Sequence, residues 1–449
     1  MDILTTGSGF LAAWAVGPAC DAFLRWRRLA APHEAAPPPE AGGAPGKILA
    51  VIPARAEGAR VGDLAEDLLR EAERARETEK EREISSNGKR AAGGAQAPGG
   101  VNVLVLLDGP DPDAEARLVR DGVSYLSKKS PGPAKGHTLA FLAENEGDRL
   151  DACDFILVFD ADMRLPEGFF RDLRVPEDAE AFQLPVRPAG VPAPGAPRVE
   201  ALSLAEARFD DLARDAAGLP VRLRGKGMGF SPRAFRLGPA AATRTTAEDS
   251  EATLALLAKG VAVRALDGPF AFDEPAPAAG AMARSRARWL GGHFKLLFTG
   301  AGDLLRFAAR SPGGAFVLAC DLWLRPRLLV LSALAFLAIA SDAVLLFLSS
   351  SGAWSAAARA GGEAAAGGAT ASARPIALLG SLFALSLLGK SGLLFEWLSV
   401  VALRARVGYP PEVPAVTLAD LLSSLSMWVR AAGRALLAPS QWHRARPPA

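Results

Sequence analysis

The stretch Asp154-Phe155-Ile156-Leu157-Val158-Phe159-Asp160-Ala161-Asp162 constrains the fold more than any other part of the chain. Its apolar run is of strand length, rich in aromatic and β-branched residues, and shows no polar alternation. That pattern reads as a strand buried on both faces, as in a parallel sheet. Two carboxylates one residue apart then stand at the carboxyl end of the strand, where open α/β sheets bind their ligands. Hard cations such as Mg²⁺ and Mn²⁺ take oxygen ligands, commonly one or two carboxylates completed by substrate phosphates. An isolated Asp-x-Asp can equally cap a turn, so the remaining motifs have to decide.

Charge excludes one class at once. With 51 Lys and Arg against 49 Asp and Glu the net charge is only +2, which gives no bulk electrostatic case for binding nucleic acid. Cys20, Cys153 and Cys320 are far apart and, with only four histidines scattered along the chain, form neither a disulfide framework nor a zinc pattern. Charged residues fall mostly before about residue 310, and the later part is dominated by Leu, Ala, Phe and Val. That asymmetry predicts a globular domain followed by membrane-embedded segments.

In order, residues 3 to 24 are mainly apolar and approach one bilayer crossing, with Arg25, Arg27 and Arg28 directly after them. Positive charge after the apolar stretch is the reverse of a cleaved signal peptide and puts residue 25 onward in the cytoplasm. Residues 1 to 30 are therefore expected as an amino-terminal membrane helix, though Gly17-Pro18 and Asp21 also fit a helix lying in the membrane surface. A Pro/Ala/Gly linker, 31 to 46, follows.

Strands are expected at Lys47 to Pro53 and Val101 to Leu107, a short one at Val123 to Leu126, and further ones at Ala181 to Arg187 and Gly260 to Leu266. Helices are expected from residue 61, at Glu115 to Asp121, at Thr138 to Asn145, at about 199 to 216 and at Ser250 to Lys259. This alternation predicts an α/β domain with a mostly parallel sheet over residues 47 to 295. Within it, residues 71 to 100 read as a charged, flexible insertion.

Residues 296 to 315 are expected to lie at the membrane interface, 316 to 410 to hold two transmembrane helices, and 411 to 449 to form an interfacial amphipathic segment. Lys390 and Glu396 are expensive in lipid and should face protein or headgroups. Arg325 and Arg327 before the first span, and Arg404 and Arg406 after the second, fit a multi-pass protein of the inner (plasma) membrane with a cytoplasmic catalytic domain.

Six features stand in one order: Glu57 after the first strand, Asp108 after the second, Lys135-Gly136, Asp160-Ala161-Asp162, Glu248-Asp249, and Ser285-Arg286-Ala287-Arg288-Trp289. Each is weak alone. In this order and spacing they resemble the family 2 glycosyltransferases, membrane-associated enzymes with a GT-A nucleotide-sugar domain.

The resemblance implies a nucleotide-sugar donor, UDP-linked, bound by Pro53, Glu57, Asp108, Lys135, Asp160 and Arg288. Glu57 and Asp108 would take the base and ribose, because a carboxylate can accept the imide N–H of uracil. Asp160 and Asp162 would hold Mg²⁺ or Mn²⁺, which neutralises charge on the leaving diphosphate. Gly225 to Phe230 resembles the acceptor-side loop, with Gly227, Met228 and Trp289 at the acceptor. Of Glu248-Asp249 the second carboxylate would be the general base for an inverting, single-displacement transfer.

The acceptor would be a lipid or a saccharide at the cytoplasmic membrane face, with membrane lipids as further partners. Local structure offers its own readings: Glu57 and Asp108 as turn formers, Glu248-Asp249 as favourable charge at a helix start, and Arg288-Trp289 as an interfacial anchor. The sequence departs from the family at Ser285, where Gln is usual, and at Ala56, where many members have Asn. A processive polysaccharide synthase and a non-catalytic scaffold that keeps the nucleotide fold are the alternatives.

Overall fold

In the computed structural model the described residues are 3–30, 46–85, 100–274, 279–323, 327–350, 373–407 and 416–437. The expected linker 31–46 lies almost wholly outside them, as do residues 86–99 of the expected insertion. The chain forms two units, one of residues Met1–Pro32 with Trp323–Gly408, the other of His33–Leu322 with Tyr409–Ala449.

The second unit carries the sheet. Its strands are β1 (Lys47–Ala54), β2 (Gly100–Leu107), β3 (Ser124–Ser127), β4 (Phe155–Val158), β5 (Met163–Arg164), β6 (Ala181–Gln183), β7 (Val186–Pro188), β8 (Met228–Phe230), β9 (Val263–Ala265) and β10 (Ala271–Asp273). After α1 (Ile3–Ala30), which belongs to the other unit, its helices are α2 (Val61–Ser85), α3 (Pro112–Arg120), α4 (Lys135–Asn145), α5 (Gly147–Asp151), α6 (Phe169–Asp172), α7 (Ala196–Ala216), α8 (Pro232–Leu237) and α9 (Glu248–Ala258). Then come α10 (Ala279–Thr299), α11 (Ala301–Ala308), α12 (Pro312–Trp323) and a last helix, Leu418–Leu437.

Seven strands run in the order β3-β2-β1-β4-β8-β6-β9, all parallel to their neighbours except β8, which is antiparallel to both β4 and β6. Burial on both faces explains the unbroken apolar runs. Ile48, Ala50 and Ile52 of β1 pack with Leu64 and Leu68 of α2, while Leu49 and Val51 pack with Leu139 and Leu142 of α4 and Leu256 of α9. The chain is thus α/β with a mostly parallel sheet between two helical layers. A second sheet, β5-β10-β7, sits beside the aspartate turn.

Two local readings change, and a third segment gains detail. The strand expected at Ala181 to Arg187 divides at Leu184-Pro185, so β6 stays in the main sheet and β7 joins the small one; Pro185 has no N–H to continue a ladder. Residues 71–85, expected as flexible, continue α2: Ala72 and Ala75 bury against the core, and Arg74 pairs with Glu71 at 2.8 Å. Residues 296–315 include helices α11 and α12, and Leu296, Phe307 and Leu318 pack on Leu254 and Leu257 of α9.

The first unit has α1, α13 (Arg327–Ser350) and the long helix Ala373–Val407. Small residues bring them close: a Cβ on Gly389 would lie 2.9 Å from that of Ala338, and one on Gly392 3.5 Å from Ala19. Lys390 meets Asp342 at 2.9 Å, so its charge is answered by protein. Among the described residues no helix is long and apolar enough to cross a membrane. The spanning helices expected at both ends are therefore not established; Asp21 and Arg25 in α1, Asp342 in α13, and Lys390 and Glu396 in the long helix interrupt their apolar sequences.

Candidate active site

Register brings the motifs together. β1, β2 and β4 run parallel, so their carboxyl ends, Ala54, Leu107 and Val158, lie along one edge. β8 enters from the opposite direction with Met228 opposite Val158, which sets Gly225-Lys226-Gly227 beside Phe159-Asp160. Motifs far apart in sequence thus gather at one edge of the sheet.

At its centre Lys135 Nζ donates to Asp160 Oδ1 at 2.5 Å and to the carbonyl of Gly225 at 2.5 Å. Burial alone would lower the pKa of this ammonium, but the Asp160 and Glu248 carboxylates outweigh it and leave it raised. Asp160 shows the converse: burial would raise it, and Lys135 and Lys226 hold it below the usual carboxylate range. Its side chain keeps about a third of its surface accessible (34%), so it can still meet a ligand. Asp162 is half-buried, and its carbonyl accepts the N–H of Glu274 at 3.1 Å, which ties the aspartate turn to the end of β10.

Glu248 and Asp249 open α9, at the positive end of its dipole. Burial first, then the neighbouring Asp249 charge, push Glu248 up to about 7 against the pull of Lys135 and Arg288. Asp249 is buried and accepts the Ser250 N–H at 2.7 Å; a Cβ on Gly225 would stand only 3.7 Å from its Oδ2. Arg288 is lowered by burial, with Glu248 and Asp160 opposing. The Glu248-Asp249 turn is braced on α10 three ways. Thr246 Oγ1 donates to the Arg288 carbonyl at 3.0 Å, Ser250 Oγ and His293 Nε2 are 3.1 Å apart, and Gly292 packs directly on Ala247. The His293 Nδ1 contact to the Trp289 carbonyl at 3.0 Å requires a proton on Nδ1, so Ser250 donates to Nε2.

The other six expected residues take these settings. Asp108 is turned inward, its side chain fully buried: Lys128 donates to it at 2.7 Å, the Gly132 N–H at 3.0 Å, and Arg55 lies at 3.6 Å. It anchors the 128–132 loop rather than presenting a carboxylate to a base. Met228, expected at the acceptor, is a core residue among Val51 and Ile156, because pairing of β8 with β4 fixes its alternation inward. Pro53 is buried within β1. Trp289 is half-buried, its ring 3.8 Å from His293 and 6.2 Å from Trp428 of the last helix. Glu57 is half-buried before a short 3₁₀ turn, and Gly227 turns the chain into β8 with φ +64°.

Sequence reasoning missed Lys226, Asp273, Arg55 and His293. Lys226 Nζ donates to Asp273 Oδ2 at 2.5 Å, and the Asp162 and Asp160 charges also act on it and raise its pKa strongly against burial. The alternating Gly-Lys-Gly was the only available signal.

Among the described residues no three His, Cys, Asp or Glu side chains gather closely enough to hold a metal ion by themselves. Two carboxylates completed by substrate phosphate oxygens are nonetheless the usual arrangement for Mg²⁺, and Asp160 and Asp162 offer that donor set.

The fold is the α/β GT-A fold with a mostly parallel sheet. The family described as glycosyl transferase family group 2 matches residues 155–388, more than half of the chain, and the protein belongs to it and is a glycosyltransferase. Among solved structures, the mannosyltransferase PcManGT from Pyrobaculum calidifontis, in complex with GDP-Man and Mn²⁺, is similar. Its identity is 14%, with 91% of this chain and 100% of that chain covered, and a TM-score of 0.44. Glucosyl-3-phosphoglycerate synthase from Mycobacterium tuberculosis, in complex with Mn²⁺, UDP and glucosyl-3-phosphoglycerate, is 17% identical over 57% of this chain and 80% of that chain, with a TM-score of 0.34. No curated protein sequence matches the chain.

Proposed function

We propose that the enzyme transfers a sugar from a UDP-linked donor to a lipid or saccharide acceptor at the cytoplasmic face of the inner membrane, by a single displacement that inverts the anomeric carbon. The observation that carries this reading is the convergence of Lys135, Asp160, Glu248, Asp249 and Arg288, from four separate segments, into one cluster of interacting charges. Asp160 and Asp162 would hold Mg²⁺ or Mn²⁺, which supplies positive charge to the departing diphosphate. Lys135 and Arg288 add fixed cations for the same charge. Asp249 takes the proton of the acceptor hydroxyl as its oxygen bonds to the anomeric carbon and the bond from that carbon to the phosphate oxygen breaks. Glu248, near 7, carries a proton for part of the time at neutral pH and so limits repulsion between the two adjacent carboxyl groups.

Exposed apolar side chains support work at a membrane. Phe298 of α10 is 83% exposed, Leu418 of the last helix 71%, and Phe336 of α13 69%. On the last helix Leu418, Leu422 and Val429 recur at helical spacing, with Arg430 and Arg434 nearby, a composition that suits a surface of anionic lipid.

A donor screen by UDP release, with membrane lipid extract as acceptor, tests the reading. Wild type should release UDP with one donor and a divalent cation, and Asp249→Asn should lose at least about 10²-fold, the scale of general-base catalysis. Release by Asp249→Asn at the wild-type rate would remove Asp249 as the base.

A further inference from the structure

Lys226 has a setting that the transfer chemistry does not require. Its ammonium bonds Asp273 Oδ2 at 2.5 Å, and the Asp162 and Asp160 charges also act on it. The second Asp273 oxygen, Oδ1, is buried with no hydrogen-bond partner. Asp273 reaches this position because β10 pairs Asp273 with Met163, next to the aspartate turn.

The backbone turns sharply on both sides of Lys226. Gly225 and Gly227 on either side have φ of +83° and +64°, a region that residues with a Cβ adopt only with strain. The lysine carbonyl is held by Gln183 Nε2 at 2.9 Å, while its side chain keeps 26% of its surface accessible. The lysine thus sets a positive charge, paired with Asp273, beside the carboxylates that would receive a divalent cation.

We propose that Lys226, seated on Asp273 beside the Asp160-Ala161-Asp162 turn, is a built-in counter-cation, which competes with a free divalent cation until the donor diphosphate draws the lysine to itself. This rests on the reading of Asp160 and Asp162 as the cation site. Two consequences follow. Lone Mn²⁺ binds weakly, because it must enter against the charge of an ammonium already seated beside its ligands. With a nucleoside diphosphate this competition ends, since Lys226 exchanges the Asp273 carboxylate for phosphate oxygens and no longer sets its charge against a cation at Asp160 and Asp162; the Lys135–Asp160 pair is common to wild type and to any Lys226 variant. Ion and donor then enter together, and the enzyme is not loaded with metal between turnovers.

The experiment is Mn²⁺ binding to the full-length protein, followed by loss of the free-ion electron paramagnetic resonance signal, with and without UDP. An opposite charge at this range shifts a carboxylate by about one to three pKa units, so without UDP Lys226→Met should bind Mn²⁺ at least ~10-fold more tightly than wild type. With UDP the advantage should vanish or reverse, and Lys226→Arg, which keeps the charge, should follow wild type. Unchanged or weaker binding by Lys226→Met without UDP overturns the proposal, as does a Lys226→Arg that behaves like Lys226→Met. Should Lys226→Met not fold by circular dichroism, Lys226→Gln carries the same expectation. Wild type that binds Mn²⁺ neither alone nor with UDP would end the cation-site reading itself, an outcome distinct from failure of the lysine comparison.

Discussion

Replacement of Gly292 by alanine tests whether α10 sets the position of the catalytic turn. A Cβ there would lie 2.6 Å from the Ala247 nitrogen, 2.7 Å from Thr246 Oγ1 and 2.8 Å from the Thr246 carbonyl carbon. Carbon contacts are comfortable from about 3.5 Å, so backbone and Cβ must separate by about 0.9 Å. The contact is with main chain, and no rotamer change can relieve it. Either α10 moves, with Arg288 and Trp289, or the turn moves, with Glu248 and Asp249. A misplacement of about 1 Å can cost ~10²-fold in rate, or about 2.7 kcal/mol of transition-state stabilisation. Overpacking should remove a further ~1–3 kcal/mol of stability. Steady-state sugar transfer at saturating donor, read beside thermal unfolding, separates the two effects. Gly433→Ala in the last helix is the control: nothing lies within 4 Å of its Cβ, and a helical Gly→Ala gains up to about 1 kcal/mol. A Gly292→Ala enzyme within threefold of wild-type kcat would refute the claim that close packing of α10 aligns the base.

Glu248→Gln should stabilise the protein at pH 8 by roughly 1–3 kcal/mol and leave it unchanged near pH 4. The sign follows from a folded pKa of about 7 against 4.5 unfolded: the wild-type carboxyl contributes stability below 4.5, and that contribution is lost as pH rises through 7. Denaturant unfolding at the two pH values checks it. Ala56 has φ +52°, which costs an L residue about 1–2 kcal/mol; Ala56→Asn should raise the melting midpoint by a few degrees, since Asn tolerates this conformation, and a lower midpoint would count against strain at this site. Replacing Leu418, Leu422 and Val429 together by serine should release the protein from anionic vesicles in a flotation assay, with UDP release from soluble substrates retained. Excess chelator should abolish transfer, and added Mn²⁺ or Mg²⁺ should restore it; full activity in chelator would exclude a role for a cation at Asp160 and Asp162.

Much of the fold is legible from local sequence because a parallel sheet buried on both faces writes itself as apolar runs. β1, β2 and β4 fall where Lys47 to Pro53, Val101 to Leu107 and Phe155 to Phe159 indicate. β8 hides behind its glycines. Gly229 reads as a loop residue, yet a Cβ there would come within 2.1 Å of the Phe182 ring, so glycine is what lets the ring cross the strand. At the site, residues in recognisable pairs were visible: Asp160 with Asp162, Glu248 with Asp249, Arg288 with Trp289. Lys226 and Asp273 were not, since their meeting depends on an antiparallel pairing of β10 with β5 that no local pattern announces. Asp108 and Met228 mark the converse limit. Position in a motif does not say which way a side chain turns, and that is settled by Lys128 and Gly132 for one and by the register of β8 for the other.

The catalytic body is discontinuous in sequence. The chain leaves it after Leu322 and returns from Tyr409, and the returning helix is fastened there. Asp420 accepts the Gly195 N–H at 2.6 Å and pairs with Arg198, while Met427 and Trp428 pack on Ala196, Met282 and Ala283. A fragment ending at Leu322 would uncover those apolar residues along with Trp289, leaving its aggregation and its loss of activity open to misreading as a need for membrane. The smallest faithful test of the chemistry joins residues 416–437 to the body by a short linker, or supplies them as a separate peptide whose binding can itself be titrated.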